Sequence, residues 1–321
     1  MNEVVRRLQE ARRVAIVSHR DPDPDTIGSG VALGLALEAL GADVSWHCAD
    51  PVPDQIAFLA RTDRYVTTPP TEDVDLVVTV DFGDAGRAKF ALPSGPPLVN
   101  IDHHVSNPGF GSANLVDATS AATAELVSRV IDALGVPWTS EMATAALVGI
   151  MTDTGSFQFP STDERALQRA ATLRAAGADL QAITYNVFRN KRFEALKLWG
   201  FAFSRLARES DGEIVWTELR AGDVEEAMAR DEDSSGVVEQ IARSKGMRIA
   251  LLFTEVPGGV KISCRTSASP PSVDASALMA RYAGGGHVRA AGALVPGTPA
   301  AIREQVLADA RTALAAARIP A

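Results

Sequence analysis

The sequence predicts an α/β protein in which a parallel-sheet domain precedes a smaller α+β domain. Three observations carry this. Short segments that are apolar on both faces, at residues 14–17, 76–80 and 98–101, alternate with helical stretches, as in a parallel sheet covered on both sides. After Gly212 the pattern changes to short mixed elements, with Pro257-Gly258-Gly259 placed as a hairpin turn between two strand candidates. The length, 321 residues, suits two domains.

Residues 13–18 read as the first strand. A helix is expected over 28–40, with Val31, Leu35 and Leu37 on its apolar faces and Gly41 as its stop. Residues 44–46 form a weaker strand, and 76–80 and 98–101 strong ones. Helices are expected over 119–134, 141–151 and 163–176, which closes a first domain at 1–188. Residues 189–211 are basic at first and then apolar at helical spacing, so a connecting helix and linker are expected there. The second domain, 212–321, carries strands at 213–219, 247–254 and 260–266. It adds short helices at 224–230 and 237–245, a Gly-rich loop at 284–286 and a last helix at 299–316.

Composition narrows the function. Apolar residues make up 46% and charged residues 22%, an ordinary globular balance. No run of about 18 apolar residues occurs, so no membrane span is expected. The N-terminal stretch lacks the uninterrupted apolar segment of a secretory signal. Cys48 and Cys264 lie far apart, which argues against a disulfide scaffold and a zinc–thiolate site; a cytoplasmic location is the default expectation. A net charge of −9 argues against a large duplex-binding surface. It leaves room for a small phosphorylated substrate, because divalent cations and a few arginines reverse the potential inside one cleft.

Aspartates and histidines gather where apolar segments end. His19, Asp21, Asp23 and Asp25 follow the first strand. Asp81 follows 76–80, Asp102-His103-His104 follow 98–101, and Asp153 follows the apolar run 145–152. Pro22 and Pro24 are expected to keep their loop extended and non-helical, projecting Asp23 and Asp25 in similar directions. Gly28-Ser29 would then start a helix whose amide end faces an anion. Each residue alone has a plain reading: Asp25 as a helix cap, Asp81 as a turn residue, Asp153 as a C-terminal turn. Together they form an oxygen-rich set with a few imidazoles, which suits Mn²⁺, Mg²⁺ or Co²⁺ better than a closed zinc site. Carboxylates this close repel without cations between them. Two ions about 3.5–4 Å apart that share a carboxylate would relieve this, activate a water and clamp phosphate oxygens. The chemistry implied is phosphoester hydrolysis.

In the second domain, period two puts Lys261, Ser263, Arg265 and Ser267 on one face of their strand, a row suited to a phosphate or simply to solvent. Gly284-Gly285-Gly286 would offer unobstructed backbone amides to an anion, with His287 beside them; a plain flexible turn is the alternative.

These residues resemble known motifs. His19-Arg20-Asp21-Pro22-Asp23-Pro24-Asp25-Thr26-Ile27-Gly28-Ser29, Asp81, Asp102-His103-His104 and Thr152-Asp153-Thr154-Gly155 resemble the four motifs of the DHH phosphoesterase superfamily. Gly284-Gly285-Gly286-His287-Val288-Arg289-Ala290-Ala291-Gly292 resembles the signature of the accompanying DHHA1 domain. Within the superfamily, size and composition are most similar to the bifunctional oligoribonuclease and 3'-phosphoadenosine-5'-phosphate (pAp) phosphatase group, the nanoRNases. The resemblance implies a Mn²⁺-dependent exonuclease and 3'(2'),5'-bisphosphate nucleotidase with its active site in a cleft between the domains. His19, Asp23 and Asp81 would hold one ion. Asp25, Asp81, His103 and Asp153 would hold the other. Asp102 would orient a neighbouring histidine, and His104 would face the scissile phosphate. Ser263, Arg265, Gly285, Gly286 and His287 would join His104 in binding a short RNA or small nucleotide. A homodimer is implied as well. The chain departs from the family's usual residues at Asp21, Pro24 and Gln158, and Arg265 and Arg289 remain as anion partners. Other readings are a cyclic or linear dinucleotide phosphodiesterase and an inactive nucleotide-sensing or RNA-binding module. An inorganic pyrophosphatase fits less well, because its second domain lacks the Gly-rich signature. A long-substrate exonuclease of the RecJ type usually carries further nucleic-acid-binding domains.

Overall fold

In the computed structural model, which describes residues 1–318, the chain divides into Met1–Asn190 and Lys191–Ala321. Helix α1 (Asn2–Glu10) leads into β1 (Arg13–Ser18), α2 (Pro24–Ala39), β2 (Asp43–His47) and β3 (Tyr65–Val66). Next come β4 (Leu76–Val80), β5 (Leu98–Asp102), β6 (Ala113–Val116) and four helices: α3 (Thr123–Leu134), α4 (Ser140–Asp153), α5 (Glu164–Ala175) and α6 (Leu180–Ile183). The six strands are all parallel, in the order β3-β2-β1-β4-β5-β6. From β1 the chain builds outward to β2 and β3, then returns to lay β4 on the other side of β1. Such a reversal opens a crevice beyond the carboxyl ends of the strands, where ligands of open α/β sheets sit.

The expected strands are present, and β3 and β6 are additions here, as are three strands of the second unit; β3 and β6 are short, half-exposed edge strands without a continuous apolar signal. Helix α2 starts earlier than expected. Proline lacks only an N–H that a first helical turn leaves unused, so Pro24 opens the helix instead of preventing it. Asp23 is the N-cap, its side chain accepting from the amides of Asp25 and Thr26. Gly28 is therefore inside α2, not at its start. A β-carbon there would meet the Ala145 carbonyl oxygen at 2.4 Å, so glycine lets α2 and α4 pack closely. Helix α2 is buried from Asp25 to Leu37, between the sheet and α3 and α4. A smaller cluster of Val17, Val77, Phe82 and Ala88 forms a second core. Helix α3 begins at Thr123, four residues later than expected.

The second unit comprises α7 (Phe193–Ser204), β7 (Ala207–Glu209), β8 (Ile214–Leu219), α8 (Ala221–Ala227) and α9 (Val237–Ile241). It continues with β9 (Ile249–Val256), β10 (Gly259–Thr266), α10 (Ala275–Ala280), β11 (Gly285–His287), β12 (Ala290–Pro296) and α11 (Pro299–Ala317). Its sheet runs β11-β12-β10-β9-β8-β7, antiparallel except for β8 beside β9, which makes the unit α+β. Helix α7 lies in the stretch expected to hold a connecting helix and linker. Its Leu198 and Ala202 pack with Val215, Leu219 and Ile241, so it is part of the second unit's own core. Among the described residues, no helix is long and apolar enough to cross a membrane.

Candidate metal centre

The four strand-end and helix-end clusters converge within the first unit. His19 follows β1, Asp81 follows the adjacent β4, and Asp102 ends β5 with His103 and His104 just beyond. Asp25 comes from the first turn of α2 and Asp153 from the last residue of α4. Among the described residues, donor atoms lie within 4.8 Å of one another in three overlapping groups: His19, Asp23 and Asp81; Asp25, His103 and Asp153; Asp81, His103 and His104. Asp81 faces both sides. Its Oδ2 lies 3.3 Å from His19 Nε2, and its Oδ1 lies 3.6 Å from His103 Nε2. His103 Nε2 also faces Asp153 Oδ2 at 3.2 Å.

Both imidazoles are oriented as metal-ligating histidines require. A carbonyl only accepts, so Nδ1–H of His19 donates to the Arg20 carbonyl at 2.7 Å, and that of His103 donates to the Ser120 carbonyl at 3.2 Å. Each ring then turns Nε2 toward the carboxylates. Among the described residues, His19 Nε2 is buried without a hydrogen-bond partner, between Asp23 Oδ2 at 3.5 Å and Asp81 Oδ2 at 3.3 Å. A buried orphan nitrogen flanked by two carboxylates fits a divalent cation, and so do the residues of the second group. His104 differs. Its Nδ1 lies 2.7 Å from Asp102 Oδ1, so its bond to Asp102 directs Nε2 away from that carboxylate. The other Asp102 oxygen accepts from Asn107 Nδ2 at 2.6 Å.

The electrostatics show how strongly these charges are coupled. Burial works against a charged His19, but the facing Asp23 and Asp81 outweigh it and raise its pKa to about 10. The same contest at His103, with Asp153 and Asp81 opposite, raises it to about 11. Burial would raise Asp81, yet His19, His103 and His104 hold it well below the usual carboxylate range. Burial lifts Asp153 to about 6 against the pull of His103. Burial, then the charges of Asp153 and Asp81, push Asp25 well above its ordinary value.

Four features escaped the sequence reading. Thr123 donates its hydroxyl to Asp81 Oδ1 at 2.8 Å. Ser120 supplies the carbonyl that orients His103. Asn107 ties Asp102 to the Phe82 carbonyl, 2.8 Å from its Nδ2. Gly149 makes room for Asp25, whose Oδ1 would lie 2.3 Å from a β-carbon there. A glycine inside a helix is itself a signal of close packing. Thr123 was hidden by the misplaced start of α3.

In the second unit, Ser263 and Arg265 share the more exposed face of β10, while Ile262 and Cys264 are buried. Arg265 Nη2 is engaged by Glu239 at 2.6 Å, and Arg289 Nη1 by the Ser267 and Val273 carbonyls. Gly285, Gly286 and His287 are not in a loop; they form β11, paired with β12. Close approach explains two of the glycines. A β-carbon would meet the Gly292 carbonyl oxygen at 2.3 Å from Gly284, and the Ala290 carbonyl oxygen at 2.5 Å from Gly286, which also has φ +140°. A β-carbon at Gly285 would meet nothing within 4 Å among the described residues beyond its chain neighbours.

Residues 13–150 match the model of the DHH family, N-terminal domain, and residues 219–317 match that of the DHHA1 domain. The chain is 37% identical over 288 residues to the "Bifunctional oligoribonuclease and PAP phosphatase NrnA" of Thermus thermophilus, covering 88% of this chain and 84% of the relative. Among solved structures it is similar to an exopolyphosphatase-related protein from Bacteroides fragilis, with a TM-score of 0.88 at 23% identity and 98% of each chain covered. It shares its fold more loosely with exonuclease RecJ bound to manganese, with a TM-score of 0.53 at 18% identity, covering 99% of this chain and 94% of that one.

Proposed function

The chain belongs to the DHH family, carries a DHHA1 domain and is a metal-dependent phosphoesterase, and from that premise we propose that it hydrolyses short oligoribonucleotides and pAp. The observation that carries the substrate choice is the Thermus relative, named for both activities and similar along most of both chains. The acidic net charge of −9 supports a short substrate over a long polymer, which needs an extended basic track.

In this reading His19, Asp23 and Asp81 hold one divalent ion, Mn²⁺ or Mg²⁺, and Asp25, Asp81, His103 and Asp153 hold the second. When bound, the pair supplies Lewis-acid activation of water and neutralises phosphate charge. His104, its Nδ1–H held by Asp102, would present Nε2 to the reacting phosphate and, as the imidazolium, would give the Nε2 proton to the leaving oxygen. Asn107 keeps Asp102 in register for that task. Ser263, Arg265, Gly285, Gly286 and His287 contact the nucleotide. For Arg265 this requires exchanging the carboxylate of Glu239 for a phosphate, both being acceptors its planar fork fits. The open space above Gly285 supports a close backbone approach by a ligand.

We also infer a homodimer. Phe193, Leu196 and Phe203 form an exposed apolar stripe along α7 at helical spacing, a feature that marks contact surfaces. Cys48 and Cys264, both free and buried, fit a reducing cytoplasm. The deciding experiment is a product time course with Mn²⁺ comparing pAp, a dinucleotide, a five-nucleotide RNA, a long RNA and pyrophosphate. Preferential turnover of pAp and the five-nucleotide RNA is expected. Preference for pyrophosphate or long RNA would reject the assignment.

A further inference from the structure

Helix α3 starts without a capping side chain of its own, since Ala122 occupies the N-cap. The first amides of a helix need acceptors. Here both are met by one carboxylate from another helix: Thr123 N–H donates to Asp25 Oδ2 at 2.7 Å, and Ala124 N–H donates to Asp25 Oδ1 at 2.9 Å. The same Thr123 donates its hydroxyl to Asp81 Oδ1 at 2.8 Å. Thr123, Asp25 and Asp81 are all buried. One residue therefore grips two carboxylates that arrive from α2 and from the end of β4.

We propose that Thr123 is a positioning residue that divides Asp81 between the two ion positions. Asp81 turns Oδ2 toward His19 and Oδ1 toward His103. Its side chain is buried, so the direction of the carboxylate is set by the protein groups that hold its oxygens. The Thr123 hydroxyl occupies one lone pair of Oδ1 and leaves the other for the second group of ligands. Without it, Oδ1 still faces His103 Nε2 and His104 Nδ1, each at 3.6 Å, but loses its 2.8 Å hydrogen bond, and the carboxylate can turn both oxygens to the His19 side. The position formed by Asp25, His103 and Asp153 then loses its shared ligand, while His19 and Asp23 keep theirs. This inference rests on the two-ion reading of the site.

The test is a calorimetric titration of the full chain, stripped of divalent ions, with Mn²⁺. The proteins compared are wild type, Thr123→Ser, Thr123→Val and Thr123→Ala, alongside thermal melts of each metal-free protein. Wild type and Thr123→Ser should bind two equivalents alike. Thr123→Val should bind the second equivalent roughly tenfold to a hundredfold more weakly, the scale set by groups that orient metal ligands, with the first far less affected. The metal-free melt should not account for the loss. Thr123→Ala removes the hydroxyl without new bulk and decides the matter should Thr123→Val not fold. Two equivalents bound at wild-type affinity by both hydroxyl-free variants would overturn the role of Thr123 alone, as would Thr123→Ser behaving like Thr123→Val. Fewer than two equivalents in wild type would overturn the two-ion reading itself.

Discussion

Replacing Asp81 with alanine tests the shared-ligand geometry most directly. In the metal-free protein the substitution removes the acceptor of the Thr123 hydroxyl and the carboxylate facing His19 and His103. Orphaning such groups costs about 1–3 kcal/mol. The change also removes a buried negative charge close to Asp25 and Asp153, so the net destabilisation is smaller. The ion-linked effect is larger. Mn²⁺ at a hundred times its Kd stabilises the folded state by about 2.7 kcal/mol per site, or about 5 kcal/mol for two. For a unit the size of Met1–Asn190, that is a rise in Tm of roughly 10–20 °C. Wild type should show this rise, and Asp81→Ala should lose most of it. Turnover of pAp and of a five-nucleotide RNA should fall by about a hundredfold to a thousandfold, as when groups that stabilise transition-state charge are removed. The assay is a thermal melt with and without Mn²⁺, paired with a product time course. A variant that keeps the Mn²⁺-induced rise, or turns over within tenfold of wild type, would refute the shared role of Asp81.

Because His19 and His103 hold protons up to about 10 and 11 in the metal-free site, each must give one up to bind an ion. Mn²⁺ affinity should therefore fall by about tenfold per pH unit at each site as pH drops below 10, and more steeply at the second site below about 6, where Asp153 also takes a proton; titrations across pH check the slopes. The same raised values give the metal-free protein stability that is full below about 6.5 and declines as pH rises toward 10, the opposite trend to ion binding, which melts will show. Gly149→Ala should gain about 1 kcal/mol of helix propensity. It should nevertheless weaken binding of the second Mn²⁺, because its β-carbon would lie 2.3 Å from Asp25 Oδ1 and 2.7 Å from Ala124 Cβ. Gly286→Ala should lower Tm through its clash with the Ala290 carbonyl. Gly285→Ala should leave Tm unchanged while raising KM for the nucleotide; an unchanged KM would remove Gly285 from the substrate site.

How much was legible depends on whether a residue's role is local. The ligand candidates stood out because carboxylates and imidazoles at the ends of buried strands converge whatever the details of the loops, and His19, Asp81 and His103 do. The start of α2 was misjudged although its signal is local: Asp23 before Pro24 is a cap before a first-turn proline. Thr123 and Asn107 could not be read in this way. Thr123 acts on residues 42 and 98 positions away, and Asn107 matters through the Phe82 carbonyl as well as Asp102. On β10 the alternation gave the right face for Arg265, but not the ion pair with Glu239 that occupies it.

Asp25 shows why the plain and the functional readings of one residue need not compete. It is a helix cap, though of α3 instead of its own helix, and its two oxygens take the Thr123 and Ala124 amides. That bonding holds it in place without an ion. Its carboxyl is nonetheless pushed well above its ordinary value, by burial and then by Asp153 and Asp81, so the α3 amides fix its direction without making its charge comfortable. A cation at Asp25, His103 and Asp153 would reverse that balance, since it opposes the repulsion and leaves the amide bonds in place. The second position is thus held in place by the α3 amides and the Ser120 carbonyl in the metal-free protein, and a cation there would take the place of the His103 proton that faces Asp153 and Asp81.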